Sequence, residues 1–332
     1  MQIIIRMPNW FGDAVMGSTM IEDIKRAYPN AKITLMCQGM IGELFMADPN
    51  IEEIYRFKKV SGWIHQGEHR KVINPIIKGE FDTGLLLTGS FSSACWFFRG
   101  KVKKIIGFNV HYRRLFLTNP VPFPKEREKQ HHVDTYRDLL IPLGIPHQES
   151  VPKLYITEEE KEWANKLLEK HTGKVIGINP GAAFGSAKCW PPERFRALVE
   201  KILKETDHTI LCFGDSSLVS LINQITHGLG ERVVNLAGKT SIRELLALIN
   251  ACDVFLSNDS GPMHIAAALK VPLVALFGST NPTKTGPYHF GKVIYKKVFC
   301  SPCYKRICPI DFSCMKNISV DEVYSALLEE MK

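Results

Sequence analysis

Ser257-Asn258-Asp259-Ser260-Gly261-Pro262-Met263-His264-Ile265-Ala266-Ala267-Ala268 follows an apolar run, Cys252 to Leu256, with the character of a strand. The run stops at short polar residues, and a helix of small residues begins at Ser260 or Gly261. A strand that turns through glycine into a helix leaves backbone N–H groups unpaired above the strand end. With the helix dipole, those donors make an anion site suited to phosphate. Asp259 and His264 then stand where they can contact the group that carries the phosphate. The same residues also fit a plain N-capped helix of a Rossmann-like unit with a buried histidine. The segment alone leaves the two readings open.

Outward from it, strand and helix alternate. Ile3 to Arg6, Ile33 to Met36, Gly84 to Leu87 and Lys103 to Ile106 read as strands. Helices are expected near Asp13 to Tyr28, Gly39 to Met46 and Phe91 to Phe98, the first with Val15, Met16, Ile21 and Ile24 on its apolar face. Pro142, Pro146 and Pro152 punctuate a polar linker, after which the alternation restarts. Strands follow at Val175 to Ile178, Thr209 to Phe213, Val233 to Asn235, Val254 to Leu256 and Leu273 to Leu276. Helices near Glu158 to Glu169, Glu193 to Lys204, Ser217 to Leu229, Ile242 to Asn250 and Gly261 to Leu269 separate or precede them. This pattern predicts an α/β chain with parallel sheets covered on both faces. Two doubly wound Rossmann-like domains are expected, residues 1–150 and 151–332, with a cleft between them. The ligands of such sheets sit beyond the carboxyl ends of the strands, where the winding reverses.

Size and composition agree. A chain of 332 residues, 45% of them hydrophobic, can fill two ordinary cores. No apolar run approaches the roughly 20 residues of a membrane span, and Met1-Gln2-Ile3-Ile4-Ile5-Arg6 reads as a short strand rather than a signal peptide. Nine cysteines without such a signal imply a reducing cytoplasm and free thiols. A net charge of +8 points to an acidic partner without choosing among nucleic acid, membrane and acidic substrate.

Three strand-end signals carry chemistry. In Asn9-Trp10-Phe11-Gly12-Asp13, Asp13 begins a helix and is either an N-cap or a general base facing the cleft. Trp10 and Phe11 suit stacking on a sugar, or the core. In Asn179-Pro180-Gly181-Ala182-Ala183-Phe184-Gly185-Ser186-Ala187-Lys188, small residues let backbone amides approach a ligand, and Ser186 and Lys188 complete a diphosphate site. The Gly-Lys-Ser/Thr ending of a Walker loop is absent, as is a Gly-x-Gly-x-x-Gly after any expected strand, which disfavours a dinucleotide dehydrogenase. Asp259 supplies the third signal. Facing sheets would bring Asp13, Lys188 and Asp259 to one cleft.

Together these loops resemble the ADP-heptose:lipopolysaccharide heptosyltransferases. The likeness is carried by Arg6-Met7-Pro8-Asn9-Trp10-Phe11-Gly12-Asp13-Ala14-Val15-Met16, by Asn179-Pro180-Gly181-Ala182 with Ser186-Ala187-Lys188-x-Trp190-Pro191, and by Asn258 to His264. Leu276-Phe277-Gly278-Ser279-Thr280 and Cys300-x-Pro302-Cys303-Tyr304-x-Arg306-x-Cys308-Pro309 add to it. The Met-Pro-Asn-Trp opening and the cysteine-rich tail point to type II members rather than type I. The resemblance implies a GT-B fold and an inverting transfer from ADP-heptose to the first heptose of the lipid A-linked inner core, with no metal cofactor. It implies Asp13 as the base, Lys188 and Ser186 on the diphosphate, Asp259 on heptose hydroxyls, Ser260 and Gly261 on phosphate through backbone N–H, and His264 in the same pocket. Adenine would lie near Thr240 and Ser241. Where relatives often carry an acidic residue for the ribose, this chain has Asp215-Ser216-Ser217-Leu218, with Asp215 one turn earlier. The C-terminal helix would pack back on the first domain. No Asp-x-Asp, the usual carboxylate pair for a divalent cation, occurs in the chain.

Other features are ambiguous. Cys300, Cys303, Cys308 and Cys314 begin like a zinc half-site but end with irregular spacing, and they read as reduced structural thiols. His131-His132 reads as a solvated or acceptor-facing pair. From Arg99 to Lys129, nine basic residues (Arg99, Lys101, Lys103, Lys104, Arg113, Arg114, Lys125, Arg127 and Lys129) face two acidic ones, Glu126 and Glu128. That run is either an ordinary solvated face or, through Arg113 and Arg114 with Trp10, the landing place of an anionic acceptor on lipid A. No nucleic-acid recognition module is present. The expected location is cytoplasmic, with peripheral contact at the inner face of the inner membrane. The alternatives are a heptosyltransferase acting one sugar earlier or later, and a non-catalytic nucleotide-sugar-binding protein in which Asp13 is only a cap.

Overall fold

A computed structural model describes residues 1–58, 66–126, 128–171 and 173–332. The chain divides into two compact units, Met1–Tyr155 and Ile156–Lys332.

In the first unit, β1 (Gln2–Arg6), β2 (Lys32–Gln38), β3 (Glu53–Phe57), β4 (Thr83–Leu86), β5 (Lys104–Phe108) and β6 (Asn119–Val121) form one parallel sheet in the order β3-β2-β1-β4-β5-β6. In the second unit, β7 (Val175–Asn179), β8 (Thr209–Cys212), β9 (Val233–Asn235), β10 (Val254–Asn258), β11 (Leu273–Phe277) and β12 (Lys292–Tyr295) do the same in the order β12-β11-β10-β7-β8-β9. Followed from its β9 edge, the second sheet repeats the winding of the first. The reversal falls between β1 and β4 in one unit and between β7 and β10 in the other. These are the crevices in which doubly wound sheets hold ligands.

The apolar runs explain the central strands. Ile3, Ile4 and Ile5 of β1 and Val254, Phe255 and Leu256 of β10 are fully buried, as expected for strands covered on both faces. Three strands that apolar patterning does not announce, β3, β6 and β12, all lie at sheet edges. Each buries a single residue, Phe57 of Glu-Ile-Tyr-Arg-Phe in β3, Val121 of Asn-Pro-Val in β6 and Ile294 of Lys-Val-Ile-Tyr in β12, and leaves the others partly or fully exposed. Pro120 is tolerated in β6 because an edge strand need not donate on both sides.

The single helix expected from Asp13 to Tyr28 is two, Phe11–Met16 and Thr19–Ala27. They break at Gly17, where a Cβ would lie 2.7 Å from Leu87 Cδ2, and at Ser18, whose Oγ accepts the Lys153 N–H at 3.1 Å. A buried network then ties the second of them to the helix His132–Arg137. Arg137 Nε donates to Asp23 Oδ2 at 3.0 Å and its Nη2 to Ser150 Oγ at 2.7 Å, while Ser150 Oγ donates to Asp23 Oδ1 at 2.5 Å. The C-terminal helix Val320–Glu330 packs against the helix Pro192–Glu205 and against β10, β11 and β12. Its Val323, Tyr324 and Leu327 lie in the core of the second unit.

Candidate functional site

In the second unit, the loop after β7 and the turn after β10 meet across the reversal of the sheet. Lys188 Nζ lies 2.6 Å from Asp259 Oδ2, and Thr280 Oγ1, from the turn after β11, donates to the same oxygen at 2.6 Å. Asp259 is 4% exposed and Thr280 5%. Both bonds fall on Oδ2, so among the described residues Oδ1 is left to receive a further donor. A buried carboxylate is stable here because a lysine and a hydroxyl replace its water.

Two side-chain amides hold these loops in place. Asn258, fully buried, accepts the Trp190 N–H at 3.0 Å through Oδ1 and donates to Pro180 O at 2.7 Å through Nδ2. Asn179 Nδ2 reaches Gly181 O, Ser257 Oγ and Ser260 Oγ at 3.0, 3.2 and 3.0 Å. Ser260 occupies the N-cap of the helix Gly261–Ala268 with extended backbone, but its side chain does not cap. Its Oγ turns back to Ser257 Oγ at 2.9 Å. The first-turn N–H groups of that helix are therefore not consumed by a side-chain cap, which is the condition for an anion site. His264 lies in that first turn and is 6% exposed. Ser186 opens the short turn Ser186–Lys188 and is exposed.

The residues expected beside the nucleotide lie at the ends of β8 and β9. Gly238 N donates to Gly214 O at 2.9 Å, bringing the two loops together. Asp215 is exposed and accepts from Ser217 N at 2.8 Å, capping the turn Ser216–Leu218. Ser241 and Glu244 form a capping box on the helix Ile242–Asn250, and Thr240 precedes it half-buried. The hydrogen bonds of Asp215 and Ser241 are thus spent on helix starts.

In the first unit, Asp13 is not the N-cap; Trp10 holds that position, 61% exposed. Asp13 lies in the first turn, where the helix dipole favours its charge. Its Oδ1 stands 3.7 Å from His132 Nδ1, each side chain 30% exposed. Tyr136, one turn beyond His132 and buried, has its phenol pushed well above the ordinary range by burial and by the Asp13 charge. Asp13, His132 and Tyr136 thus form one cluster, which the spacing of Asp13 and the His131-His132 pair in sequence does not reveal.

The basic run does not form one face. Lys103 and Lys104 are at the amino end of β5 and Arg113 and Arg114 follow its carboxyl end, so the strand separates them by about 16 Å. Lys103 pairs with Asp82 at 2.8 Å, Lys104 Nζ donates to Pro142 O at 2.6 Å, and Lys129 pairs with Glu126 at 3.1 Å. Arg127 lies outside the described residues. Arg113, expected on the exposed face, is fully buried. Its Nε donates to Phe108 O at 2.7 Å and its Nη1 to Thr88 O, bracing the loops after β4 and β5, and burial pushes its pKa down to about 10. Arg114, beside it, is exposed.

The tail cysteines converge. Cys300, Cys303, Cys308 and Cys314 line one cavity of about 110 Å³, and all nine cysteines are unbridged. Burial and the neighbouring thiols push the Cys314 pKa up. Among the described residues, no group of three His, Cys, Asp or Glu side chains is arranged to hold a metal ion. No helix among them is long and apolar enough to cross a membrane.

Residues 69–312 match the description "Glycosyltransferase family 9 (heptosyltransferase)". The chain is 31% identical to lipooligosaccharide heptosyltransferase 2 of Campylobacter jejuni (strain 81116), over 100% of this chain and 98% of that protein. It is 30% identical to lipopolysaccharide heptosyltransferase 2 of Escherichia coli K12, over 89% of this chain and 88% of that one. The solved structure of E. coli ADP-heptose lps heptosyltransferase II superposes with a TM-score of 0.86 at 26% identity, covering 100% of this chain and 98% of that chain. The paired six-stranded parallel sheets are those of the GT-B glycosyltransferases. Asp13 precedes the family match but lies within the stretch shared with the Campylobacter protein.

Proposed function

The chain belongs to glycosyltransferase family 9, the heptosyltransferases, and we propose that it moves heptose from ADP-heptose to the first heptose of a lipid A-linked inner core. The observation that carries this reading is full-length kinship with type 2 heptosyltransferases, in a chain with Lys188, Asp259 and an uncapped helix start at one sheet reversal. The second unit takes the donor. Lys188, Ser186 and the N–H groups of Ser260 and Gly261 hold the diphosphate, and Asp259 Oδ1 accepts from a heptose hydroxyl. His264 lines the pocket, with Thr240 and Ser241 beside adenine and Asp215 beside ribose.

The first unit takes the acceptor. Asp13 removes the proton from the acceptor hydroxyl as its oxygen attacks the anomeric carbon from the face opposite the diphosphate. The sugar–phosphate bond breaks, its electrons pass to ADP, and the anomeric configuration inverts. His132, 3.7 Å from Asp13, orients the carboxylate. Trp10 and Arg114 are exposed near this helix start and the end of β5, where a sugar and an anionic group would meet them. Backbone dipoles and cationic side chains supply the positive charge, so the reaction is proposed to run without a divalent cation. The acceptor is lipid-linked, so the enzyme would work in peripheral contact with the inner face of the inner membrane.

The test is ADP release from ADP-heptose with defined truncated cores, in excess EDTA. Release with a core bearing one heptose, and none with a core lacking it, is the expected result. Release only with the heptose-free core would assign the earlier transfer. Tight ADP binding without any turnover would leave a nucleotide-sugar-binding protein.

A further inference from the structure

The cysteine-rich segment is built into the phosphate loop. Ala187 N donates to Arg306 O at 3.0 Å. Gly185, at φ +153, has no room for a side chain, because a Cβ there would lie 2.3 Å from the same carbonyl. The contact thus fixes the backbone of Arg306 one residue from Lys188. The Arg306 guanidinium lies over the Phe184 ring at 5.3 Å, and Lys188 Nζ over the same ring at 5.0 Å. The phosphate loop therefore carries two cations on one aromatic side chain.

Those cations are not equivalent. Lys188 is neutralised by Asp259 at 2.6 Å. Arg306 is exposed, and among the described residues no carboxylate lies within ion-pair distance of it. A donor diphosphate carries two negative charges, and the departing nucleoside diphosphate gains a third. A lysine already paired with a carboxylate leaves the loop short of positive charge, and a planar guanidinium suits two phosphate oxygens at once.

Resting on the donor site proposed above, we infer that Arg306 is a further ligand of the donor diphosphate, delivered by the cysteine-rich segment. The Phe184 ring holds the guanidinium beside the loop, which lessens the rotamer freedom lost on binding. The four thiols line one cavity with Ala187 and Ser279, and the N–H groups of Cys303 and Tyr304 tie the segment to Ser279 O at 3.1 and 2.8 Å.

Calorimetric titration of the full chain with ADP and with adenosine tests this. Arg306→Ala should weaken ADP by about tenfold, the worth of one charge-assisted phosphate contact, and leave adenosine unchanged. Arg306→Gln should match it, while Arg306→Lys should recover part of the loss. Unchanged melting temperatures would show that the carbonyl bond to Ala187 persists. Wild-type affinity for ADP in Arg306→Ala and Arg306→Gln would overturn the inference alone, as would a rise confined to the acceptor KM. Failure of the wild-type chain to bind ADP would overturn the donor site and this inference together.

Discussion

Lys188 Nζ and Asp259 Oδ2, 71 residues apart in the chain, are 2.6 Å apart in the fold. The pair spans the reversal between β7 and β10, the one place in the second sheet where adjacent loops diverge and leave a crevice. Asp259 holds the lysine beside the uncapped helix start, and Thr280 fixes the carboxylate that does so.

Lys188→Ala removes the cation and leaves a buried carboxylate with only Thr280. It should weaken ADP and lower kcat, because the charge on the leaving group grows in the transition state. Asp259→Asn should keep ADP binding within about threefold while raising the KM for ADP-heptose, if the carboxylate serves the sugar. Equal losses for ADP and ADP-heptose in Asp259→Asn would make it only a support for Lys188.

Asp13→Asn should reduce kcat by about 10²–10⁴-fold, the usual loss on removing a general base. ADP affinity should not move, since the residues proposed to hold the phosphates lie in the other unit. Single-turnover assays read the first quantity and calorimetry the second. Near-normal turnover would reduce Asp13 to a carboxylate that merely suits the helix dipole.

Asp23→Ala strips the buried Arg137 of a main counter-charge and should cost about 3–5 kcal/mol of stability. Because Arg137 ends the helix that carries His132, urea midpoints and activity should fall together. A change under about 1 kcal/mol would mean that Ser150 and Asp134 satisfy the guanidinium unaided.

Glu160 gives a pH signature. The Arg243 guanidinium, at 2.7 and 2.5 Å, holds its carboxyl below the ordinary value of 4.5. A depressed folded pKa stabilises the protein above the unfolded value, and the gain is lost as pH falls through the lower folded one. Glu160→Gln should therefore be less stable than wild type at pH 7, with the gap closing under acid. Parallel stability curves down to about pH 3 would show no linkage at this pair.

Arg114 tests the acceptor side after the burial of Arg113. Arg114→Glu should raise the acceptor KM and leave the donor KM in place, with added salt producing the same trend by screening over about 8–10 Å. Arg113→Glu should instead unfold the loops after β4 and β5. Equal effects of Arg114→Glu on both substrates would leave it a solvated surface charge.

The sequence by itself determined the central strands, the helix start at Ser260 and Gly261, and the glycine-lined loop ending in Lys188. Those features are local: an apolar run covered on both faces, or small residues at a turn, reads the same wherever the chain goes. Edge strands such as β3 and β12 escaped, because half-buried positions accept charge and leave no apolar run. Only the tertiary structure decided which polar residues meet. Parallel strand order brings Asp259 to Lys188, puts His132 beside Asp13, and sends Lys103 and Arg113 to opposite ends of β5. It also buries Arg113, whose charge looked solvated as one of a basic run. Pairings between distant residues are set by sheet order and crossover handedness, which no local periodicity encodes.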